Sequence, residues 1–332
     1  MTYLFGAGAS AYNMPTIIDV PKRILLAKEF IDKHYSFRDE ERIVVQKGVE
    51  VPKEAIKSTI VNELTHLANQ AGQQATIDTY AKTLFLQGRQ ADFDKLRFFL
   101  ALYFCIEQKM SGTDLRYQNF MVSLLSQGSL RFPRQIKFLS WNYDLQMEAA
   151  FEAIFARGDC DYAFDMFNSE NSEITELLKD EFTSVKLNGS SYWRYEGNLV
   201  PIIRNPFSST FARDDLDDAM LYVYRNYMSN MPLRSKKLRL GFSWVRPTPN
   251  KITEAYDRTQ ILIVIGYSFP FFNREIDRTI IRGMTKIEKI YIQDPNAEDV
   301  KQSFLSILPE KRELPIFTLT AKSKQFFLPP EL

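Results

Sequence analysis

Five short stretches of this chain carry small and polar residues of the kinds that hold phosphates, sugars and water. They are Gly6-Ala7-Gly8-Ala9-Ser10, Trp141-Asn142-Tyr143-Asp144, Asn188-Gly189-Ser190-Ser191, Gly266-Tyr267-Ser268 and Gln293-Asp294. Gly6 and Gly8 would let backbone N–H groups approach a pyrophosphate, with the Ser10 hydroxyl as a further donor. The same glycines would equally serve a turn that needs positive φ. Asn142 and Asp144 either meet a ligand or cap a helix, since both types accept backbone N–H groups at helix N-termini. Ser268, just before Phe269-Pro270, suits a simple turn as well as a ligand contact.

What the chain lacks narrows the chemistry. It has only two histidines, His34 and His66, and two cysteines, Cys105 and Cys160, with no close pairs among them. A structural zinc site needs about four such ligands, so no zinc or other metal is expected. A disulfide scaffold is excluded, and thiols of this kind suit a reducing cytoplasm. Cys160 lies between Asp159 and Asp161, which should raise its pKa, so nucleophilic catalysis by it is not expected. Cys105 sits in an apolar stretch and reads as core. Forty-two basic against 41 acidic residues leave a net charge of +1, so no overall field draws the chain to nucleic acid. The basic run Arg234 to Arg239 lacks interleaved aromatics and reads as a solvated or partner-facing surface. Trp193 and Trp244 flank the middle segment and could line a pocket, with plain packing the favoured reading. The N-terminal residues show no basic run and no long apolar core, so no signal peptide is expected. The longest apolar run, Leu96 to Ile106, is far short of the ~20 residues of a membrane span and reads as a buried helix. A cytoplasmic protein that keeps off membranes is expected.

The elements that must position these groups follow from periodicity. Thr2 to Phe5 reads as a strand, and a helix begins near Val20-Pro21, where proline is tolerated in a first turn. From about Lys33 to Gln127 apolar residues recur at helical spacing, as in Ile56-Ile60-Leu64-Leu67 and Phe93-Leu96-Leu100-Phe104, and predict about four helices with little strand signal. Beyond Pro133 the pattern changes. Strands are predicted at Ile136 to Ser140, Phe182 to Leu187, Ile261 to Ile265, Ile287 to Ile292 and Ile316 to Leu319, with helices at Leu145 to Phe155, Glu275 to Arg282 and Ala297 to Leu305. Residues 190–250 read as irregular, with an acidic cluster (Asp214, Asp215, Asp217, Asp218) and a basic one (Arg234, Lys236, Lys237, Arg239). Strands alternating with helices imply an α/β fold with a doubly wound, Rossmann-like parallel sheet. Residues 1–32 and 130–332 would form that sheet domain, and 33–129 a helical insertion. Each polar stretch then follows a strand, and ligands of such sheets bind outside the carboxyl ends of the strands.

Taken in order, Gly6-Ala7-Gly8-Ala9-Ser10, Asn142-Tyr143-Asp144, Lys186-Leu187-Asn188-Gly189-Ser190 and Gly266-Tyr267-Ser268-Phe269-Pro270 resemble the strand-end motifs of sirtuin-like domains. The branch they are most similar to is the sirtuin-like NAD hydrolases of bacterial anti-phage defence. The resemblance covers residues 1–20 and about 135–325, not the helical insertion. It implies an NAD+ glycohydrolase that cleaves NAD+ to nicotinamide and ADP-ribose and defends by NAD depletion (abortive infection). The first glycine loop would hold the pyrophosphate. Asn142 would contact the nicotinamide ribose and position a water, with Asp144 beside it. Gly189 and Ser190 would lie with the strand-end motif, Gly266, Tyr267 and Ser268 against phosphate or ribose, and Gln293 and Asp294 at the adenosine end. Such domains stay silent until released, so a separate sensor or regulatory subunit and an oligomer are implied, with NAD+ as the small-molecule partner.

One departure matters. The family has a catalytic histidine where this chain has Asn188, and neither His34 nor His66 lies where it could substitute. An amide has no useful pKa near 7, and loss of a general base typically costs ~10²–10⁴-fold. Two explanations fit: a substitution that traps NAD+, or a natural variant that binds NAD+ without fast turnover. The second makes the chain a non-catalytic NAD or ADP-ribose binding regulatory subunit. A protein deacylase ranks behind both, because the zinc module that shapes a peptide groove is absent.

Overall fold

The structure is a computed structural model describing residues 1–16, 18–35, 41–46, 48–74, 76–125, 132–155, 167, 183–195, 198–201, 207, 213–228, 237–238, 240–245, 256–308, 313–320 and 324–332. Six parallel strands form its main sheet: β1 (Thr2–Phe5), β4 (Lys137–Ser140), β5 (Thr183–Lys186), β9 (Ile261–Ile265), β10 (Lys289–Gln293) and β11 (Ile316–Leu319). Their spatial order is β11-β10-β9-β1-β4-β5. The chain therefore starts at the centre, steps outward through β4 and β5, and returns to the far side of β1 with β9. Phe5 is in register with Ser140 on one side and with Ile265 on the other. This is a doubly wound, Rossmann-like arrangement, and its topological switch point lies between β1 and β9.

Side chains alternate across the strands with period two, and both faces are covered. Tyr3, Phe5, Phe138, Ile263 and Ile265 share one core with α5 (Leu115–Leu124) and α6 (Gln146–Phe155). Leu4, Leu139, Val185, Leu262, Val264 and Ile292 share the other with α8 (Arg274–Gly283) and α9 (Ala297–Leu305). Burial on both faces explains why Ile261–Ile265 is uninterrupted β-branched and leucine sequence.

A third core lies outside the sheet. It joins α1 (Val20–His34), α2 (Lys53–Gln73), α3 (Ile77–Leu86) and α4 (Gln90–Ser111). The four helices predicted between 33 and 129 are present, but they divide. Helices α2 to α4 pack with α1, whereas α5 lies on the sheet. The segment also contains a hairpin that the sequence reading lacks, β2 (Arg42–Gln46) with β3 (Val49–Pro52), turning at Gly48 with φ 75°. Its strands are short, and tertiary bonds hold it. Lys53 bridges Glu41 at 2.7 Å and Asp217 at 2.9 Å, and Arg225 Nη2 donates to the Val44 carbonyl.

Residues 190–250 are more regular than expected. Here β6 (Tyr192–Tyr195) pairs with β7 (Asn198–Pro201) and β8 (Lys237–Leu238), and α7 (Arg213–Met228) buries Leu216, Ala219, Met220 and Val223 against the helical core. The acidic cluster opens α7, where the positive end of the helix dipole favours carboxylates. Arg234, Lys236 and Arg239, like Cys160, lie outside the described residues. Trp244 stacks on Phe242, with ring centroids 5.2 Å apart, in keeping with a packing role. Among the described residues, no helix is long and apolar enough to cross a membrane.

Candidate functional site at the carboxyl edge of the sheet

Because all six strands run parallel, the loops after β1, β4, β5, β9 and β10 leave from one edge. At the switch point the β1 and β9 loops touch backbone to backbone. Gly6 N–H donates to the Ile265 carbonyl at 3.0 Å and Gly8 N–H to the Gly266 carbonyl at 2.9 Å. A Cβ on Gly6 would lie 2.5 Å from Gly266 O, and one on Gly8 2.9 Å from Gly266 Cα. Gly266 itself has φ 61°, and its Cβ would lie 2.1 Å from Ala9 N. The three glycines thus satisfy a close approach of two loops. The N–H groups of Gly6 and Gly8 are spent on that contact, which corrects the expectation that they face a phosphate. Gly266 N–H in turn donates to the Gln293 carbonyl at 3.0 Å, linking the third loop.

Beside this junction lies a buried polar cluster. Asn142 Nδ2 donates to Ser10 Oγ at 3.2 Å, and Tyr117 Oη lies 2.9 Å from the same oxygen. Ser10 also lies close enough to the Asp144 carboxyl to favour its ionised form. A hydroxyl has one proton and two lone pairs. Ser10 accepts from Asn142 and shares a hydrogen bond with Tyr117, which makes it the hub joining the β1 and β4 loops to α5. Asp144 Oδ1 accepts from Gln146 N–H at 3.1 Å, so it caps α6 as well. Burial raises the Asp144 carboxyl above its ordinary range, opposed first by the Lys186 charge and then by the bonds from Gln146 and Ser10. Burial also holds the Tyr117 hydroxyl far above its usual value. Arg116, paired with Asp114, donates to the Ala9 carbonyl and pins the 3-10 turn Ala7–Ser10 from outside.

The β5 loop completes the cluster. Lys186 Nζ reaches Glu148 at 2.7 Å, Ser190 Oγ at 3.0 Å and the Asp144 carbonyl. Gly189 takes φ 67°, a turn that glycine permits. Asn188 is buried, and its amide is engaged at both ends. Oδ1 accepts from Ser243 N–H at 3.1 Å, and Nδ2 donates weakly to the Trp141 carbonyl at 3.4 Å. Its own carbonyl accepts from Gly241 N–H at 2.8 Å. The 240–245 segment is held from its other side by α4, where Arg97 donates to the Leu240 and Leu238 carbonyls at 2.8 and 3.2 Å. Cys105, also on α4, donates through Sγ to the Ser191 carbonyl at 3.2 Å. The helical core is therefore tied directly to the strand-end loops.

The remaining candidates sit further out. Tyr267 stacks on Trp141 with centroids 5.5 Å apart, and its hydroxyl lies 2.9 Å from Asp277, whose carboxyl burial pushes up to about 8. Phe269 has φ 52°, a strained conformation for a non-glycine residue before proline. Ser268 between them is exposed. Gln293 donates to the Gln325 carbonyl and accepts from Phe327 N–H, fastening the C-terminal segment. Asp294 accepts from Asn296 N–H at the start of α9. The structure thus brings Ser10, Asn142, Asp144, Asn188 and Ser190 together, while Gln293 and Asp294 have structural partners of their own.

Tyr117, Lys186 and Glu148 belong to the cluster without having been singled out for a role. Tyr117 comes from a helix 107 residues away in sequence and gives no local signal. A signal for the other two did exist: a lysine ending a strand of a parallel sheet needs an acid partner, and Glu148 lies one helical turn beyond Asp144. Among the described residues, no group of three or more His, Cys, Asp or Glu is placed to hold a metal ion. No protein-family model matches the chain, and no curated protein matches it in sequence.

Proposed function

We propose that the chain binds NAD+ at this strand-end edge and is built as an NAD+ glycohydrolase. The observation that carries it is the buried Ser10–Asn142–Asp144 cluster at the carboxyl ends of β1 and β4, beside the switch-point junction of the β1 and β9 loops. Hydrolysis needs little from a protein: the nicotinamide–ribose bond breaks with its electrons leaving on neutral nicotinamide, positive charge grows at C1′, and water adds there and gives up a proton. The Asn142 amide would orient the ribose and the water. The Asp144 carboxylate would stabilise the developing charge, which counts for more in a buried site than in solvent. Exposed Ser268 is available to phosphate or ribose.

A second reading is favoured by one specific observation. The Asn188 amide is engaged at both ends, holding the 240–245 segment through Ser243 N–H and bonding weakly to the Trp141 carbonyl, as a native structural residue would be, and no imidazole stands in the cluster. The chain would then bind NAD+ or ADP-ribose and regulate a partner. Calorimetry with NAD+ and ADP-ribose on the wild type and Asn142→Ala, followed by a nicotinamide-release assay, tests both. Equal affinities for the two proteins would remove the site. Binding without release would favour the regulatory subunit. The wider setting is proposed on the resemblance alone: a cytoplasmic, oligomeric anti-phage effector controlled by a separate sensor subunit. Nicotinamide release should then be low in the isolated chain and rise in a complex with that subunit and its trigger.

A further inference from the structure

The buried ion pair Lys186–Glu148 has no counterpart in the roles assigned above. Its side chains are 2% and 0% exposed, at the floor of the cluster. Taking a lysine and a glutamate out of water costs several kcal/mol per ion, and an apolar pair of similar size would often fold as well. The pair is oriented toward the candidate site. Lys186 donates to the Asp144 carbonyl, to Glu148 and to Ser190, using the three protons of its ammonium on the β4 loop, α6 and the β5 loop.

We infer that Lys186 and Glu148 are positioning residues that fix the orientation and charge of Asp144 for the cleavage reaction. This rests on the glycohydrolase reading. The groups facing Asp144 are few. Gln146 N–H donates to it, Ser10 adjoins it, Tyr117 from α5 stays neutral, the Asp114–Arg116 pair stands at the start of α5, and Asp78 sits behind Tyr143. Of the charges, Lys186 acts most strongly and favours the carboxylate, whereas Glu148 opposes it.

Two variants should therefore move Asp144 in opposite directions. Lys186→Met/Glu148→Leu removes the pair without leaving a buried charge unpaired, and Glu148→Gln removes only the opposing charge. The protein is labelled with ¹³C at aspartate carboxyls, and the Asp144 resonance is assigned from its loss in Asp144→Asn. In the double variant the Asp144 titration midpoint should move to higher pH, and in Glu148→Gln to lower pH. Shifts of opposite sign would show that both charges reach Asp144, and the pH profile of release then separates a positioning role from a purely architectural one. In the nicotinamide-release assay the double variant should lose ~10-fold or more at pH 7 and recover as pH rises, as expected of a carboxylate that must be ionised. Unmoved midpoints in folded variants, or a defect constant at every pH, would overturn the inference. Opposite shifts in a protein that releases no nicotinamide would retain the coupling and reject the glycohydrolase reading instead.

Discussion

Asn188→His is the most informative single change. The perturbation has two opposed consequences. The amide now accepts from Ser243 N–H at 3.1 Å and donates to the Trp141 carbonyl at 3.4 Å. A neutral imidazole has one acceptor and one donor nitrogen, so it can replace both bonds only by spending the lone pair that a base requires. For the ring to act as a base, Ser243 N–H must lose its partner, and a buried unpaired donor costs ~1–3 kcal/mol. Over a chain of this size that is a fall in Tm of about 2–4 °C. Against this, a base with pKa near 6.5 supplies ~10²-fold or more in rate. Nicotinamide release by Asn188→His should therefore rise ~10²-fold while scanning calorimetry shows a modest loss of stability, and Asn188→His with Asn142→Ala should return to background. An Asn188→His protein that binds NAD+, has wild-type Tm and releases no nicotinamide would mean that the imidazole has simply taken over the clamp. If Tm falls and release still does not appear, even with partner and trigger present, loss of a base is not what limits this chain, and the regulatory-subunit reading gains.

Three further outcomes are expected. Gly266→Ala places a Cβ 2.1 Å from Ala9 N at a residue with φ 61°, so urea unfolding should show a loss of about 3 kcal/mol or more; a smaller loss would mean that the β1 and β9 loops separate easily. Ser10→Ala leaves the Asn142 amide and the Tyr117 hydroxyl without their shared partner, costing ~1–3 kcal/mol and weakening NAD+ binding in calorimetry, and an unchanged affinity would detach the hub from the ligand. Asp277 titrates near 8 when folded against 3.8 when exposed, so the folded state holds its proton more tightly. Its contribution to stability is complete below the exposed value and is lost as pH rises toward 8. Asp277→Asn should accordingly flatten the fall in urea midpoint between pH 5 and 8 relative to the wild type, and parallel curves would contradict the burial of this carboxyl.

How much of this was legible in the sequence depended on whether a pattern was local. Thr2–Phe5, Ile261–Ile265 and Ile316–Leu319 have the predicted strand bounds, because each is a short, largely apolar run with glycine or polar punctuation, and Ala297–Leu305 has the predicted helix bounds. The hairpin at 42–52 escaped because each strand is short and is held by Lys53 and Arg225 reaching distant residues. Helix α7 escaped because four aspartates at its start obscured the Leu216-Ala219-Met220-Val223 spacing, although acids there are what a helix N-terminus favours. The strand-end positions of Ser10, Asn142 and Asp144 could be read, but not their partners. Tyr117 and Arg97 arrive from helices in the segment that the motifs skip, and only the folded chain brings them in.

The glycines and the charged floor bear on function in different ways. Gly6, Gly8 and Gly266 are fully explained by the contact between the β1 and β9 loops, so their presence alone would not argue for a nucleotide. The Lys186–Glu148 pair is not explained by packing, since an apolar strand end would satisfy the same core. Nor does folding require Asn142 and Tyr117 to meet on the Ser10 oxygen beside Asp144, when each could be replaced by a residue with no polar group to bury. Three buried ionisable groups, Asp144, Glu148 and Lys186, stand with that hub at the carboxyl edge where ligands of parallel sheets bind. Their desolvation is a stability cost that a merely structural corner would shed, and it is on this cost, rather than on the glycine motif, that the proposed site rests.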